Sequence, residues 1–189
     1  MREAGAGEVA AGEATLGEAT LGEAGVCALA IEPATREDLP AIVSILARET
    51  MLGVRDSADP ADLPDYERAF DDIAADPRAT LYVARRGGRV AGTFQLVFMR
   101  ALLRHGALLA IAEAVQVDPD LRGQGVGEAM MRFAMAEARR RGAVSLQLAS
   151  NKKRLDAHRF YERLGFEKRL DGFKIEFKDD PVASRPAGS

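Results

Sequence analysis

The chain has 189 residues, 47% of them hydrophobic and 29% charged, with a formal net charge of −3 and a pI near 5.5. That length suits one domain with a full core and is short for two. The mild acidity gives no case for gripping nucleic-acid phosphates along a surface. No apolar run reaches the length of a membrane span, and the N-terminus lacks the basic-then-apolar order of a secretory signal. A single cysteine, Cys27, cannot form an intramolecular disulfide. The expectation is a cytoplasmic single-domain protein with no nucleic-acid or membrane partner.

Residues 1–28 differ in kind from the rest. Gly12 to Gly25 reads GEATL-GEATL-GEAG, a small-residue repeat with too little apolar surface to repay its ordering entropy. It is expected to be disordered, and residues 179–189 to be a frayed tail, leaving 29–178 as the folded domain. Leu29 to Ala34 alternates as a short strand. Thr35 and Asp38 then form a capping pair for a helix over 36–49, in which Leu39, Ile42, Ile45 and Leu46 recur at helical spacing. A polar, proline-broken loop over 51–64 precedes a second helix over 65–74. Runs 80–86 and 90–100 read as strands joined at Gly87-Gly88, a hairpin signal. Ala107 to Val117 is a longer, nearly all-apolar strand, expected at the centre of a sheet.

The stretch LRGQGVG, Leu121 to Gly127, follows that strand and opens the clearest helix, over 125–141. Val126, Met130, Phe133, Ala134 and Ala138 mark its buried face. Arg139 to Arg141 read as a solvated helix end, with Gly142 as C-cap. A strand over 144–149 and a helix over 156–164 come next. A closing hairpin is expected from FEKRL (166–170) and FKIEF (173–177), turning at Asp171-Gly172. The order β-α-α-β-β-β-α-β-α-β-β makes a mixed α/β domain.

A glycine turn entering a helix presents free N–H groups and the positive end of the helix dipole, which suits an anion and above all a phosphate. Two nucleotide motifs do not fit. Gly127 is followed by Glu128-Ala129 where a Walker loop needs Lys-Ser/Thr, and Glu128 stands where the dinucleotide fingerprint needs its third glycine.

VQVDPDLRGQGVGEAMM resembles instead the pyrophosphate-binding segment of the GNAT superfamily of acetyl-CoA-dependent N-acetyltransferases, with Arg122, Gly125 and Gly127 at its key positions. NKKRLDAHRFYERLGF, Asn151 to Phe166, looks like that family's second signature. The resemblance spans about 30–178. It implies a mixed central sheet with helices on both faces, and acetyl-CoA as co-substrate. The backbone of Val115 and Val117 would hold the pantetheine arm. The amides of Gly123, Gln124, Gly125, Val126 and Gly127, with Arg122, would wrap the pyrophosphate. Asn151 and Ala157 would contact the cofactor from the other side. Tyr161, one turn beyond Ala157, would give a proton to the departing thiolate. Glu113, assigned the same strand parity as Val115 and Val117, is the candidate base for an acceptor ammonium whose pKa is roughly 10 if it resembles lysine. An acyl-enzyme is disfavoured because Cys27 falls in the N-terminal segment expected to be disordered, with no fixed base beside it. No His/Cys cluster supports a metal, and His105 and His158 carry no assigned role.

For the acceptor, Asp56, Asp59, Asp62 and Asp65 suit a cationic amine, whereas Arg55, Arg100, Arg104 and His105 suit one bearing an anionic group. A small-molecule primary amine, acetylated by direct attack in a ternary complex, is the leading expectation. A protein or peptide acceptor and a non-catalytic acyl-CoA sensor are the alternatives. Dimers are common among look-alikes, so a homodimer belongs among the expectations.

Overall fold

The computed structural model describes residues 28–49 and 56–175. The GEATL repeat, Cys27, Arg55 and the tail after 175 lie outside the described residues. Five strands form one sheet in chain order: β1 (Leu29–Pro33), β2 (Ala79–Arg86), β3 (Arg89–Arg100), β4 (Leu108–Val117) and β5 (Ser145–Leu148). Strands β1 to β4 are antiparallel neighbours, and β5 joins β4 in parallel. A parallel neighbour requires a crossover, supplied here by α4 (Val126–Arg140). The remaining helices are α1 (Leu39–Ala47), α2 (Leu63–Ala75), the short helical turn α3 (Leu103–Gly106) and α5 (Leu155–Arg163).

Alternation along the strands sorts the core into two layers. Tyr82 and Phe94 are paired across β2 and β3 with rings stacked at 5.2 Å, and both meet Phe133 of α4 edge-on. Leu96, Phe98, Ala110 and Ala112 extend that face, where α4 buries Val126, Met130, Met131, Ala134 and Ala138. Val83 and Thr93 point to the opposite face, the side of α1 with its buried Leu39, Ile42, Val43 and Ile45. Gly92 faces α4, and a Cβ there would lie 2.7 Å from the Met130 Sδ.

Polar groups lock the helix entries. The Thr35 amide donates to Asp38 Oδ2 at 2.9 Å, and the Arg85 guanidinium grips both Asp38 oxygens at 2.7 and 2.8 Å while also pairing with Glu32. The arginine end of α4 is solvated at Arg139 and Arg140, as expected, but it also covers a buried carboxylate. Glu137 is buried, and Arg140 and Arg141 fold back to it at 2.7 Å, with Arg141 also lying over the Phe98 ring. Burying the Glu137 carboxylate against the sheet demands cationic partners, and the last turn supplies them.

The closing hairpin is a second departure. Residues 166–175 contain no strand, and Leu170, Phe173 and Ile175 are exposed. Two short runs pairing only with each other are marginal, and here they make no ladder with β5. The part of the second run beyond 175 lies outside the described residues.

Candidate active site

The site begins with a fault in β4. Ala114 has φ +50°, and the β3–β4 register slips where Phe94 alone lies between the Thr93–Gln116 and Gln95–Glu113 pairs. Two residues of β4, Ala114 and Val115, therefore oppose one of β3, which is a β-bulge. A left-handed φ is costly for alanine and marks a place that the surrounding structure must hold.

The bulge corrects the expected parity of Glu113. Ala110 and Ala112 lie on the α4 face, so Glu113 points the other way, with Ile111. The extra residue at Ala114 then returns Val115 and Val117 to the α4 face, where both pack against the core. Glu113 is thus on the face opposite Val115 and Val117, exposed, beside its cross-strand partner Gln95.

Just before the bulge, β4 and β5 part. They are paired only from Leu109–Ser145 to Ala112–Leu148, while β4 runs on to Val117. The backbone of Glu113 to Val117 therefore has no strand partner on that side. The opening is a V whose walls are the end of β4 and the segment after β5. Ser150 Oγ, in that segment, is buried without a hydrogen-bond partner, an orphan polar atom at the V.

At the end of β4, Asp118 caps a turn over Pro119–Leu121 by accepting from the Asp120 amide at 3.0 Å. Arg48, just past α1, donates to Asp118 at 2.9 Å and Asp120 at 3.0 Å. The glycine loop follows. Gly123 and Gly125 have φ of +74° and +81°, a conformation glycine adopts without strain, and a Cβ on either would meet nothing within 4 Å. No acceptor among the described residues takes the amides of Gly123 to Glu128, while Ala129 N–H already bonds to Gly125 O at 3.0 Å. This row of unspent donors at the positive end of a four-turn helix fits a pyrophosphate. Arg86 braces the loop from β2, donating to both the side-chain and backbone oxygens of Gln124 at 2.9 Å. Arg122 Nε reaches the Val117 carbonyl at 3.4 Å.

The other wall belongs to the second motif. Asn151 Oδ1 accepts from the Lys153 amide at 2.9 Å, and its backbone oxygen meets His158 Nε2 at 3.0 Å, so His158 closes the turn. Ala157 and Tyr161 follow on one face of α5. Tyr161 packs edge-on against Phe160 and Phe166 at 5.1 and 5.7 Å, against the α4-side core. Burial pushes its phenol above the usual tyrosine range, and the charge of Arg154 partly offsets this, so the hydroxyl stays protonated at neutral pH. Sequence reasoning missed Glu49. Its side chain is 10% exposed and its Oε2 lies 3.6 Å from Arg122 and 3.7 Å from Arg154, one from each wall of the V.

The charged loop residues separate. Asp56 accepts from the Tyr66 hydroxyl, Asp59 caps the turn before α2, and Asp65 pairs with Arg68, so these carboxylates are engaged in building the α2 entry. Arg100 bonds to Gly106 O at 2.9 Å, and Arg104 and His105 sit exposed in the left-handed turn α3. Among the described residues, no group of three or more His, Cys, Asp or Glu is placed to hold a metal ion, and no helix is long and apolar enough to cross a membrane.

Residues 40–166 match the model of the "Acetyltransferase (GNAT) family". The chain belongs to the GNAT acetyltransferases. It is 38% identical over 106 residues to an aminoalkylphosphonate N-acetyltransferase of Salmonella typhimurium, covering 54% of this chain and 68% of that protein. It is 35% identical over 79 residues to a glucosamine 6-phosphate N-acetyltransferase of Trypanosoma brucei brucei, covering 42% and 52% respectively. A solved structure titled as a transcriptional regulator from Bacillus halodurans C-125 superposes with a TM-score of 0.76 at 35% identity, covering 79% of this chain and 99% of that one. The chain is accordingly an acetyltransferase, of a family that uses acetyl-CoA.

Proposed function

We propose that the protein moves an acetyl group from acetyl-CoA to the primary amine of a small molecule that also carries a phosphonate or phosphate. Both substrates are held together on the protein, with no acyl-enzyme. The observation that carries the reading is the V between β4 and β5, which opens beside a loop of unspent amides and has a carboxylate on one face and a half-buried phenol on the other.

The residues divide the work as follows. The amides of Gly123 to Gly127, with Arg122, hold the pyrophosphate. The free backbone of Val115 and Val117 takes the pantetheine arm as a strand would take a neighbour, and Asn151 and Ala157 line its other side. The acceptor comes in on the α1 face, where Glu113 removes a proton from its ammonium, directly or through one water. The amine lone pair then attacks the thioester carbonyl carbon. As the C–S bond breaks, its electron pair passes to sulfur and the Tyr161 O–H proton follows, giving the amide and free CoA thiol. The attacking nitrogen loses its second proton as the intermediate collapses, that proton restores the phenolate through solvent, and the proton taken by Glu113 is released, so the reaction yields one net proton.

An anionic group on the acceptor is supported by the names of the two relatives and by the engagement of Asp56, Asp59 and Asp65 within the fold. Initial-rate kinetics with both substrates varied test the ternary complex. Intersecting double-reciprocal lines are expected, and parallel lines, the mark of a covalent intermediate, would refute it.

A further inference from the structure

The pair formed by Glu49 and Arg154 has no part in the roles assigned so far. Arg154 stands at the start of α5, where its amide closes the turn onto Asn151 O at 3.0 Å and its own carbonyl accepts the first helical bond, from the His158 amide. Its side chain is only 23% exposed and reaches Glu49 Oε2 at 3.7 Å. The same oxygen lies 3.6 Å from Arg122 on the facing wall. One carboxylate just past α1 thus lies within ion-pair distance of a guanidinium on each side of the V.

Tyr161 lies seven residues after Arg154, which is two turns of helix and ~10.5 Å along its axis, so the two share one face of α5. A long side chain at the first position can approach a ring at the second. The phenol does feel the guanidinium, which eases its ionisation against the effect of burial. The neighbouring ionisable groups are committed elsewhere: Asp156 pairs with Arg159, and His158 turns to Asn151 O.

We propose that Arg154 is a positioning residue for acetyl transfer: anchored by Glu49, its guanidinium steadies the negative charge that develops at the sulfur and the Tyr161 oxygen as the thioester breaks. The inference rests on the reading of Tyr161 as the acid. When the C–S pair moves to sulfur and the phenol proton follows, one unit of negative charge passes between two atoms beside the Phe160 and Phe166 rings, where water screens it less than in bulk. A fixed cation beside that path lowers the cost wherever the charge resides, as preorganised charges do. Glu49 keeps the guanidinium from swinging away to solvent. At more than hydrogen-bond distance it leaves the arginine's donors unspent.

The test compares Arg154→Gln, Arg154→Lys, Glu49→Gln and Tyr161→Phe in the full-length protein by steady-state kinetics and by NMR titration of ¹³Cζ-labelled tyrosine. With three tyrosines in the chain, Tyr161→Phe assigns the resonance. For Arg154→Gln, kcat should fall roughly tenfold with KM for acetyl-CoA within about threefold, and the Tyr161 titration should move up by about one pH unit. Arg154→Lys, which keeps the charge, should recover most of the rate, and Glu49→Gln should move both readouts the same way by less. Unchanged kcat in Arg154→Gln, or a lower kcat with an unmoved Tyr161 titration, would overturn the proposal. Full turnover in Tyr161→Phe would instead refute the acid itself, a separate failure.

Discussion

Gly125 offers a clean separation between holding the fold and holding the ligand. With φ at +81°, any L side chain there is strained by about 1–2 kcal/mol, yet a Cβ would touch nothing within 4 Å. In Gly125→Asp the new carboxylate sits at the positive end of α4 and returns about 0.3–1 kcal/mol. The net loss of folding stability should therefore be about 1 kcal/mol, a drop in Tm of a few degrees for a domain this size. Binding should respond far more. A carboxylate about 5 Å from one pyrophosphate charge, at an effective dielectric constant of about 20, costs about 3 kcal/mol, more than a hundredfold in Kd. Gly125→Ala carries the same backbone strain without the charge and should lose much less affinity. Calorimetric titration of CoA beside thermal melts reads both quantities. Retained affinity in Gly125→Asp, or equal losses in the two variants, would refute the picture of a phosphate seated on these amides.

Other expectations rest on separate parts of the molecule. Tyr161→Phe should lower kcat while leaving the Kd for acetyl-CoA nearly unchanged; a parallel fall in both would make the tyrosine structural. Gly92→Ala should cost about 1–3 kcal/mol, read as a lower denaturation midpoint, because its methyl would press on Met130 Sδ and Gln116 O. Glu137 titrates below the ordinary carboxylate range, chiefly because Arg140 hydrogen-bonds it, although burial acts the other way. Its contribution is therefore complete above the unfolded pKa of 4.5 and lost as the pH falls through the lower folded value. Glu137→Gln should flatten the acid limb of a Tm–pH profile over that range, and an unaltered slope would show that the pairs with Arg140 and Arg141 do not couple to folding. Asp38→Asn, which weakens the grip of Arg85 and the amide cap of Thr35, should lower stability by about 1–2 kcal/mol with no change in KM.

Much of this architecture is legible in the chain. The Thr35–Asp38 cap, the Gly87-Gly88 turn and the apolar face of α4 each rest on local chemistry that the fold has no reason to override. The glycine loop is legible as an anion site from its spacing alone, whereas the 151–166 motif is legible only through its resemblance to the family's second signature. What escaped is non-local. Nothing in AIAEAVQV announces a bulge, because alanine at φ +50° looks like any small strand residue. That single slip turned Glu113 to the opposite face from Val115 and Val117. Glu137 reads as a polar surface position until Arg140 and Arg141 fold back over it. Glu49 reads as an ordinary helix end, since Arg122 and Arg154 approach it only after β4 and β5 have parted. FEKRL and FKIEF show strand-like patterning, but their described residues find no partner edge.

The measurement closest to the central claim is release of CoA thiol from acetyl-CoA across a panel of primary amines. The panel pairs aminoalkylphosphonates and hexosamine phosphates with the same amines lacking the anionic group, and adds polyamines and peptides beginning with a free amine. Turnover concentrated on the phosphonate- or phosphate-bearing amines, and abolished in Gly125→Asp, is the expected result. Turnover confined to polyamines or peptides would contradict the assigned acceptor, and acetyl-CoA binding with no release from any amine would contradict the assigned reaction.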